Sequence, residues 1–74
     1  MTAKEMFEKL GYKRKIQDNV IYYFKEVNVP KKYGHILIYH INFILKDKSL
    51  FTSKNLDHKE LQAINKQIEE LRWE

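Results

Sequence analysis

The chain has 74 residues, no cysteine and a formal net charge of +4. This length predicts a single domain over residues 1–74 with a small core, which no disulfide or cysteine-based zinc site can support. Hydrophobic residues make up 43% of the chain, too many for a disordered protein. Residues 1–54 carry eleven Lys/Arg and five Asp/Glu, whereas residues 55–74 carry three and five. The basic part of the chain therefore permits an anionic partner.

A short N-terminal helix is predicted over residues 3–10. Thr2 and Glu5 have the spacing of a capping box, in which each side chain binds the backbone amide of the other residue. Gly11 suits the left-handed position after a helix, and Phe7 and Tyr12 then occupy the two positions that pack together in a Schellman ending. A helix of two turns needs tertiary contacts to persist.

The middle of the chain has the composition of an antiparallel sheet. Asp18 and Asn19 predict a tight turn, residues 28–34 contain a proline and a glycine and predict a loop, and residues 46–48 predict a second turn. The segments between them are rich in β-branched and aromatic residues. The predicted strands are residues 13–17, 20–27, 35–45 and, as a short fourth strand, 49–52.

A longer C-terminal helix is predicted over residues 56–73. Asp57 and Glu60 form a second capping box at its start. An apolar stripe with spacings of three, four and three is too short for an independent coiled coil and predicts the side that packs on the sheet. This stripe consists of Leu61, Ile64, Ile68 and Leu71. The expected fold is α+β, with the order helix, three or four antiparallel strands, helix.

The central strand predicts an interface between two molecules. Residues 36–45 are apolar at both parities, unlike a strand with one face in water, so both faces are expected to be covered. Either one helix covers each face, or both helices share a face and a second molecule covers the other. Burying three isoleucines contributes roughly 1.5–3 kcal/mol each, which is large for so small a domain. We therefore expect a homodimer, with Ile36, Ile38, Ile44 and Tyr22 at its interface.

The sequence shows no known catalytic motif and no known metal-binding motif. The sequence contains no nucleophile motif and no glycine-rich phosphate loop. His35, His40 and His58 lack metal-ligand spacing, and we interpret His40 as a partly buried residue at the edge of the core. No apolar segment has the length of a membrane helix, and the N-terminus does not resemble a signal peptide. We expect no enzymatic activity, no cofactor, no metal and a cytoplasmic location.

Two basic clusters leave open the alternative of a nucleic-acid-binding module. Cations and aromatic rings on a sheet bind single strands by phosphate contact and base stacking. Lysines on edge strands also prevent unwanted pairing between sheets, which explains them without nucleic acid. A third alternative, binding to a host protein, has no sequence signature. The clusters are Lys13, Arg14 and Lys15, and Lys31 and Lys32, with Tyr12, Tyr22, Tyr23 and Tyr33 nearby in sequence.

Both ends of the chain resemble known sequences. Residues 1–12, with the run MTAKEMFEKLGY, and residues 60–71, with ELQAINKQIEEL followed by Trp73, resemble small phage and prophage proteins of Gram-positive bacteria, of the Yopt type. Arg72 departs from this pattern, in which a small residue is expected. The resemblance covers about a third of the chain and implies a small, homodimeric α/β protein of the bacterial cytoplasm. It implies no particular activity.

Overall fold

The computed structural model describes residues 1–28 and 36–73, apart from the side chains of Asn28 and Ile36. Its element order is helix, four strands, helix, so the predicted α+β fold is confirmed. The predicted loop at residues 28–34 lies almost wholly outside the described residues. The elements are α1 (Ala3–Lys9), β1 (Lys13–Gln17), β2 (Val20–Asn28), β3 (Ile36–Ile44), β4 (Ser49–Thr52) and α2 (His58–Leu71).

Local signals define both ends of α1. The Thr2 hydroxyl accepts from the Glu5 amide at 3.2 Å, and the Glu5 carboxylate accepts from the Thr2 amide at 2.9 Å. Gly11 adopts a φ of 92°, which lets the Tyr12 amide donate to the Phe7 carbonyl at 3.0 Å. The Phe7 and Tyr12 rings then pack edge to face, with centroids 5.7 Å apart. The predicted capping box and Schellman ending are therefore confirmed.

The four strands form one antiparallel sheet in the order β1-β2-β3-β4. Asp18 and Asn19 join β1 to β2 with φ values of 51° and 60°, the conformation of the hairpin turn that matches the strand twist. The register pairs Arg14 with Tyr23 and Lys15 with Tyr22. Because paired residues of an antiparallel sheet share a face, this register decides which side chains meet.

Both helices pack on the same face of the sheet. The Tyr23 ring stacks on Phe7 of α1 with centroids 3.8 Å apart, and its hydroxyl donates to Gln67 Oε1 of α2 at 2.5 Å. Trp73 folds back over the sheet and lies 6.0 Å from the Phe43 ring. One layer of helices thus covers one sheet face. The buried apolar cluster comprises Phe7, Tyr12, Ile21, Tyr23, Ile41, Phe43, Ala63 and Ile64.

The buried side of α2 differs from the predicted stripe. Leu61 is 44% exposed, so its predicted place in the core is wrong, whereas Ile64 is buried and Ile68 and Leu71 are partly buried against the core. Glu60 and Gln67 are buried instead. The helix is turned toward these polar residues because buried tyrosine hydroxyls hydrogen-bond them, which a stripe of apolar residues does not reveal.

Within the described residues, only one face of the central strand is covered. Ile41 and Phe43 are buried beneath the helices, but Ile38 on the other face is 44% exposed. Of the two arrangements that the sequence leaves open, the structure shows the second, with both helices on one face and the other face uncovered in the described part of a single chain. The physical reason is that both helices are needed to enclose the large aromatic side chains on one side of a four-stranded sheet.

Candidate functional site

The face of the sheet opposite the helices is here called the open face. Strand side chains alternate between faces, so the register assigns to it every second residue of each strand. No helix covers it within residues 1–28 and 36–73. Its described residues are Lys13, Lys15, Gln17, Val20, Tyr22, Phe24, Glu26, Ile38, His40, Asn42, Ile44, Ser49 and Phe51.

One row of side chains crosses all four strands of the open face. Lys15 pairs with Tyr22, Tyr22 with Asn42, and Asn42 with Phe51. Lys15 is exposed, Tyr22 is half-buried and the Phe51 side chain is 50% exposed. A cation at one edge and an aromatic ring at the other thus lie in the same row, with a second ring and an amide between them.

A second row lies parallel to the first. Lys13 pairs with Phe24, and Phe24 pairs with His40. The side chains of Phe24 and His40 are half-buried. The two rows are about 7 Å apart, because they are separated by two residues along each strand. Between them lies a shallow groove of about 290 Å³, lined in part by Lys15, Tyr22, Phe24 and His40. The residues of the two rows together are called the aromatic–basic band. They are Lys13, Lys15, Tyr22, Phe24, His40, Asn42 and Phe51.

Aliphatic and acidic residues lie at the two ends of the open face. Val20 and Ile44 pair beyond the first row, and Glu26 and Ile38 pair beyond the second. Glu26 would repel an anion from its own end of the face. The electrostatics of the face therefore favour an anion over the band, where the two lysines lie.

Asn42 lies near the centre of the band. Its Oδ1 atom is buried and accepts no hydrogen bond from the described residues. An unpaired buried carbonyl oxygen costs about 1–3 kcal/mol relative to a bonded one. The Asn42 amide is therefore a polar group on the open face whose Oδ1 atom has hydrogen-bonding capacity that the described residues do not use.

The structure separates the predicted basic cluster. Lys13 and Lys15 lie on the open face, but Arg14 pairs with Tyr23 and so lies on the helix face. Arg14 therefore does not share a face with the two lysines, because adjacent strand residues point to opposite faces. The second predicted cluster, Lys31 and Lys32, lies outside the described residues.

The tyrosines that lie near these clusters in sequence are also separated in the structure. Tyr22 lies on the open face, whereas Tyr12 and Tyr23 are buried in the core and cannot stack on a ligand. Tyr33 lies outside the described residues. Among the residues predicted for a dimer interface, Tyr22, Ile38 and Ile44 share the open face. The side chain of the fourth, Ile36, is outside the described part.

Four residues of the band were missed by the sequence reasoning as members of a site: Phe24, His40, Asn42 and Phe51. Phe24 carries a signal, since it is two residues from Tyr22 in one strand and therefore lies on the same face. Phe51 carries none, because its neighbours in the band come from the pairing of β4 with β3. Only the register brings the cations and rings together.

A buried polar network lies on the helix side of the sheet. The Tyr12 hydroxyl donates to the Glu60 carboxylate, which also accepts from Lys54 Nζ at 2.7 Å. Burial, together with the hydrogen bond to Glu60, raises the pKa of Tyr12 well above its usual value. Burial alone would raise the pKa of Glu60, but hydrogen bonds from Lys54, Tyr12 and the Asp57 amide outweigh it and lower that pKa. These groups join the residue before β1 and the segment after β4 to α2, and they have a structural role.

The described residues contain neither a group of metal ligands nor a helix that could cross a membrane. In residues 1–28 and 36–73, no three or more His, Cys, Asp or Glu side chains are grouped so as to hold a metal ion. In the same residues, no helix has the length and apolar character needed to cross a membrane. Ionisable groups that remain on the open face are Lys13, Lys15, Glu26 and His40.

Comparison with known proteins yields no relative. No family model, no curated protein and no solved structure matches the chain. The resemblance to phage and prophage proteins therefore stays a prediction.

Proposed function

We propose that this protein is a non-catalytic binding module whose aromatic–basic band holds single-stranded nucleic acid. The observation that carries the proposal is the register of the sheet. It aligns Lys13 and Lys15 in the same two rows as Tyr22, Phe24 and Phe51, on the face opposite the helices.

The chemistry of the band matches the two parts of a nucleotide. Aromatic rings stack on bases, and each stacked base contributes about 1–3 kcal/mol by alanine substitution. Lysines at one edge of the band contact phosphates and release counterions. Tyr22 and Phe24 are next to the lysines, so the backbone of a strand would follow β1 while its bases lie over β2 and β3.

Single strands fit this surface better than a duplex. The rings are half-buried in the sheet, and a base reaches them only when its own face is free. In a duplex the base faces are stacked on one another. The rows are about 7 Å apart, so that Tyr22 and Phe24 can support separate bases of an extended strand.

Fluorescence anisotropy with labelled oligo(dT), oligo(U) and a duplex of equal length tests the proposal. We expect micromolar or tighter binding of a single strand at low salt and weaker binding of the duplex. Two phosphate contacts predict a slope of about −1.4 in a plot of log K against log salt. Failure of both single strands to bind at low salt would overturn the proposal.

A matched pair of variants on β1 localises the site. Lys15→Ala should weaken binding and reduce the salt slope by about 0.7, which is one phosphate contact. Arg14→Ala removes the same charge from the adjacent residue, but from the helix face. It should leave the slope nearly unchanged. Equal effects of the two variants would indicate attraction by net charge and contradict binding on the open face.

A second copy of the chain is the other candidate to cover the open face. Sedimentation of the free protein distinguishes this homodimer from nucleic-acid binding. The predicted homodimer is supported by the 44% exposure of Ile38 on the open face. Against it, the polar side chains of His40 and Asn42 lie mid-face, where the centre of a dimer interface is usually apolar. A stable dimer that Ile38→Asp dissociates, without nucleic-acid binding by the wild type, would favour that alternative.

A further inference from the structure

The outer edge of β4 is a second surface of the sheet that could bind a partner, distinct from the open face. β4 is the last strand in the order, and its ladder partner is β3. No strand pairs with its other side within residues 1–28 and 36–73. An edge of this kind presents backbone donors and acceptors that can pair with another strand.

The hydrogen bonds identify which residues of β4 face outward. Ser53 donates its amide to the His40 carbonyl at 3.0 Å, so this pair is hydrogen-bonded in the β3–β4 ladder. In an antiparallel ladder, bonded and non-bonded pairs alternate. Phe51 and Ser49 therefore direct their backbone groups toward β3, whereas Leu50 and Thr52 direct theirs away from the sheet.

The two edges of the sheet differ in how well they are protected against pairing with another strand. The opposite edge strand, β1, contains Lys13, Arg14 and Lys15, and two such edges would repel each other. β4 has the sequence SLFT and contains no charged residue. Its two apolar side chains are exposed, Leu50 by 38% on the helix face and Phe51 by 50% on the open face.

We propose that β4 pairs with β4 of a second copy of this chain in an antiparallel arrangement that joins the two sheets. The edge is self-complementary about Phe51. Leu50 of each copy then opposes Thr52 of the other, which uses the outward backbone groups of both residues and forms roughly four hydrogen bonds. Phe51 meets its own counterpart across the two-fold axis as a close aromatic pair.

The absence of charge within β4 allows a second copy to pair there, and Lys54, which would lie opposite Lys48 of the other copy beyond the strand ends, is already paired with Glu60. A partner here must be short and uncharged at its centre, because Leu50 and Phe51 are apolar and offer no ion-pair partner. β4 itself meets this requirement. Pairing also joins the open faces, so the lysines of each β1 lie at the far edges of the combined sheet, where their repulsion is smallest.

Four residues per copy bury little surface, so the dimer is expected to be weak. An interface below the size of a standard stable complex gives dissociation constants of roughly 10 μM to 1 mM. Sedimentation equilibrium of the full chain without nucleic acid, at concentrations up to about 1 mM, should show the dimer. This measurement is independent of nucleic-acid binding, so the two proposals fail separately.

Two lysine substitutions at equivalent edge positions test the interface. Leu50→Lys places a charge on β4 and should raise the dissociation constant at least tenfold. Ile16→Lys is the matched control, since Ile16 is on the other edge strand, on the same helix face, and is 57% exposed. It should leave dimerisation unchanged. A monomer throughout, or dissociation by Ile16→Lys but not by Leu50→Lys, would overturn the proposal.

Hydrogen exchange of the unmodified protein gives a test that needs no variant. The amides of Leu50 and Thr52 should become more protected as the concentration rises through the dimer range. The amides of Ser49 and Phe51, which already face β3, serve as internal references. Protection of Leu50 and Thr52 that does not depend on concentration would contradict pairing at this edge.

Discussion

The Tyr23 ring of β2 stacks on the Phe7 ring of α1, with centroids 3.8 Å apart and ring planes inclined by 20°. Phe7 also meets Tyr12 and Phe43 edge to face. One side chain of a seven-residue helix therefore contacts the residue before β1 and the two central strands. A helix this short owes its stability to such contacts and not to its own hydrogen bonds.

Replacing Phe7 should strongly destabilise the protein. Phe7→Ala in a packed core costs about 3–5 kcal/mol. A domain of this length has a total stability of roughly 4–11 kcal/mol, so the loss is a large share of it. We expect a steep fall in the urea midpoint, measured by circular dichroism. Phe51→Ala, at a half-exposed ring, should cost under about 1 kcal/mol; an equal loss would contradict the assigned core.

The buried carboxylate of Glu60 should make stability depend on pH on the acid side. Its folded pKa lies below the usual value of 4.5, so its stabilising contribution is present above about pH 4.5. That contribution is lost as the pH falls through the lower, folded pKa. Glu60→Gln should reduce the free energy of unfolding at pH 7 by about 1–3 kcal/mol and flatten its acid dependence. Urea unfolding between pH 7 and pH 3 measures both effects.

The buried hydroxyl of Tyr12 should make the stability of the protein depend on pH on the alkaline side. Its folded pKa is raised, so the protonated hydroxyl is favoured in the folded state, and stability falls as the pH rises above the unfolded value of 10. Tyr12→Phe should be less stable at pH 7, because Glu60 loses a hydrogen-bond donor, but should lose less stability above pH 10. Thermal unfolding at pH 7 and pH 10.5 provides the comparison. An unchanged alkaline dependence would contradict the assignment to Tyr12.

Arg72 ends α2 in a left-handed conformation, with φ of 58°. Its amide donates to the Glu69 carbonyl at 3.1 Å, and the Trp73 amide donates to the Ile68 carbonyl at 3.1 Å. A residue with a side chain pays about 1 kcal/mol for this conformation, whereas glycine does not. Arg72→Gly should therefore be more stable than Arg72→Ala by roughly 1 kcal/mol. Both variants remove the charge, so the difference in urea midpoint isolates the backbone term.

Gly11 should tolerate no side chain without cost. Its φ of 92° is unfavourable for other residues, and an added Cβ would lie 3.3 Å from the Lys25 Cε atom. Gly11→Ala should reduce stability by about 1–2 kcal/mol. Adding Lys25→Ala removes the close contact but not the strained φ. The double variant should therefore recover little of the loss measured in chemical denaturation.

The ring of Phe24 should matter for binding through its aromatic face. Phe24→Leu keeps an apolar side chain of similar size but cannot stack, so affinity for oligo(U) should fall about tenfold. Phe24→Tyr retains the ring and should bind within a factor of about two of the wild type. Anisotropy titrations at one fixed salt concentration compare them. Equal binding by Phe24→Leu would show that stacking at this position does not contribute.

Much of the fold follows from signals that are local in the sequence. The two capping boxes, the glycine after α1 and the turn at Asp18 and Asn19 each depend on residues within a few positions of one another. Their geometry is therefore readable without knowledge of the rest of the chain. Strand boundaries followed for the same reason, since turn residues separate runs of β-branched and aromatic residues.

The candidate site was only partly predictable. Charge alone groups Lys13, Arg14 and Lys15, and Tyr22 follows from its position near them, but Arg14 lies on the opposite face from the two lysines. A shift of one residue along a strand moves a side chain to the other face, and charge composition does not record this. Phe51 joined the band because β4 pairs with β3, a relation between segments that sequence spacing alone does not define.

By itself, the sequence determined the order of the elements, their ends and the apolar character of the central strand, because these depend on local backbone preference and on composition. The tertiary structure decided that both helices cover one face, that Glu60 and Gln67 rather than Leu61 face the core, and that lysines and rings meet on the open face. These outcomes depend on register and on hydrogen bonds between side chains far apart in the chain, such as Tyr12 with Glu60 and Tyr23 with Gln67.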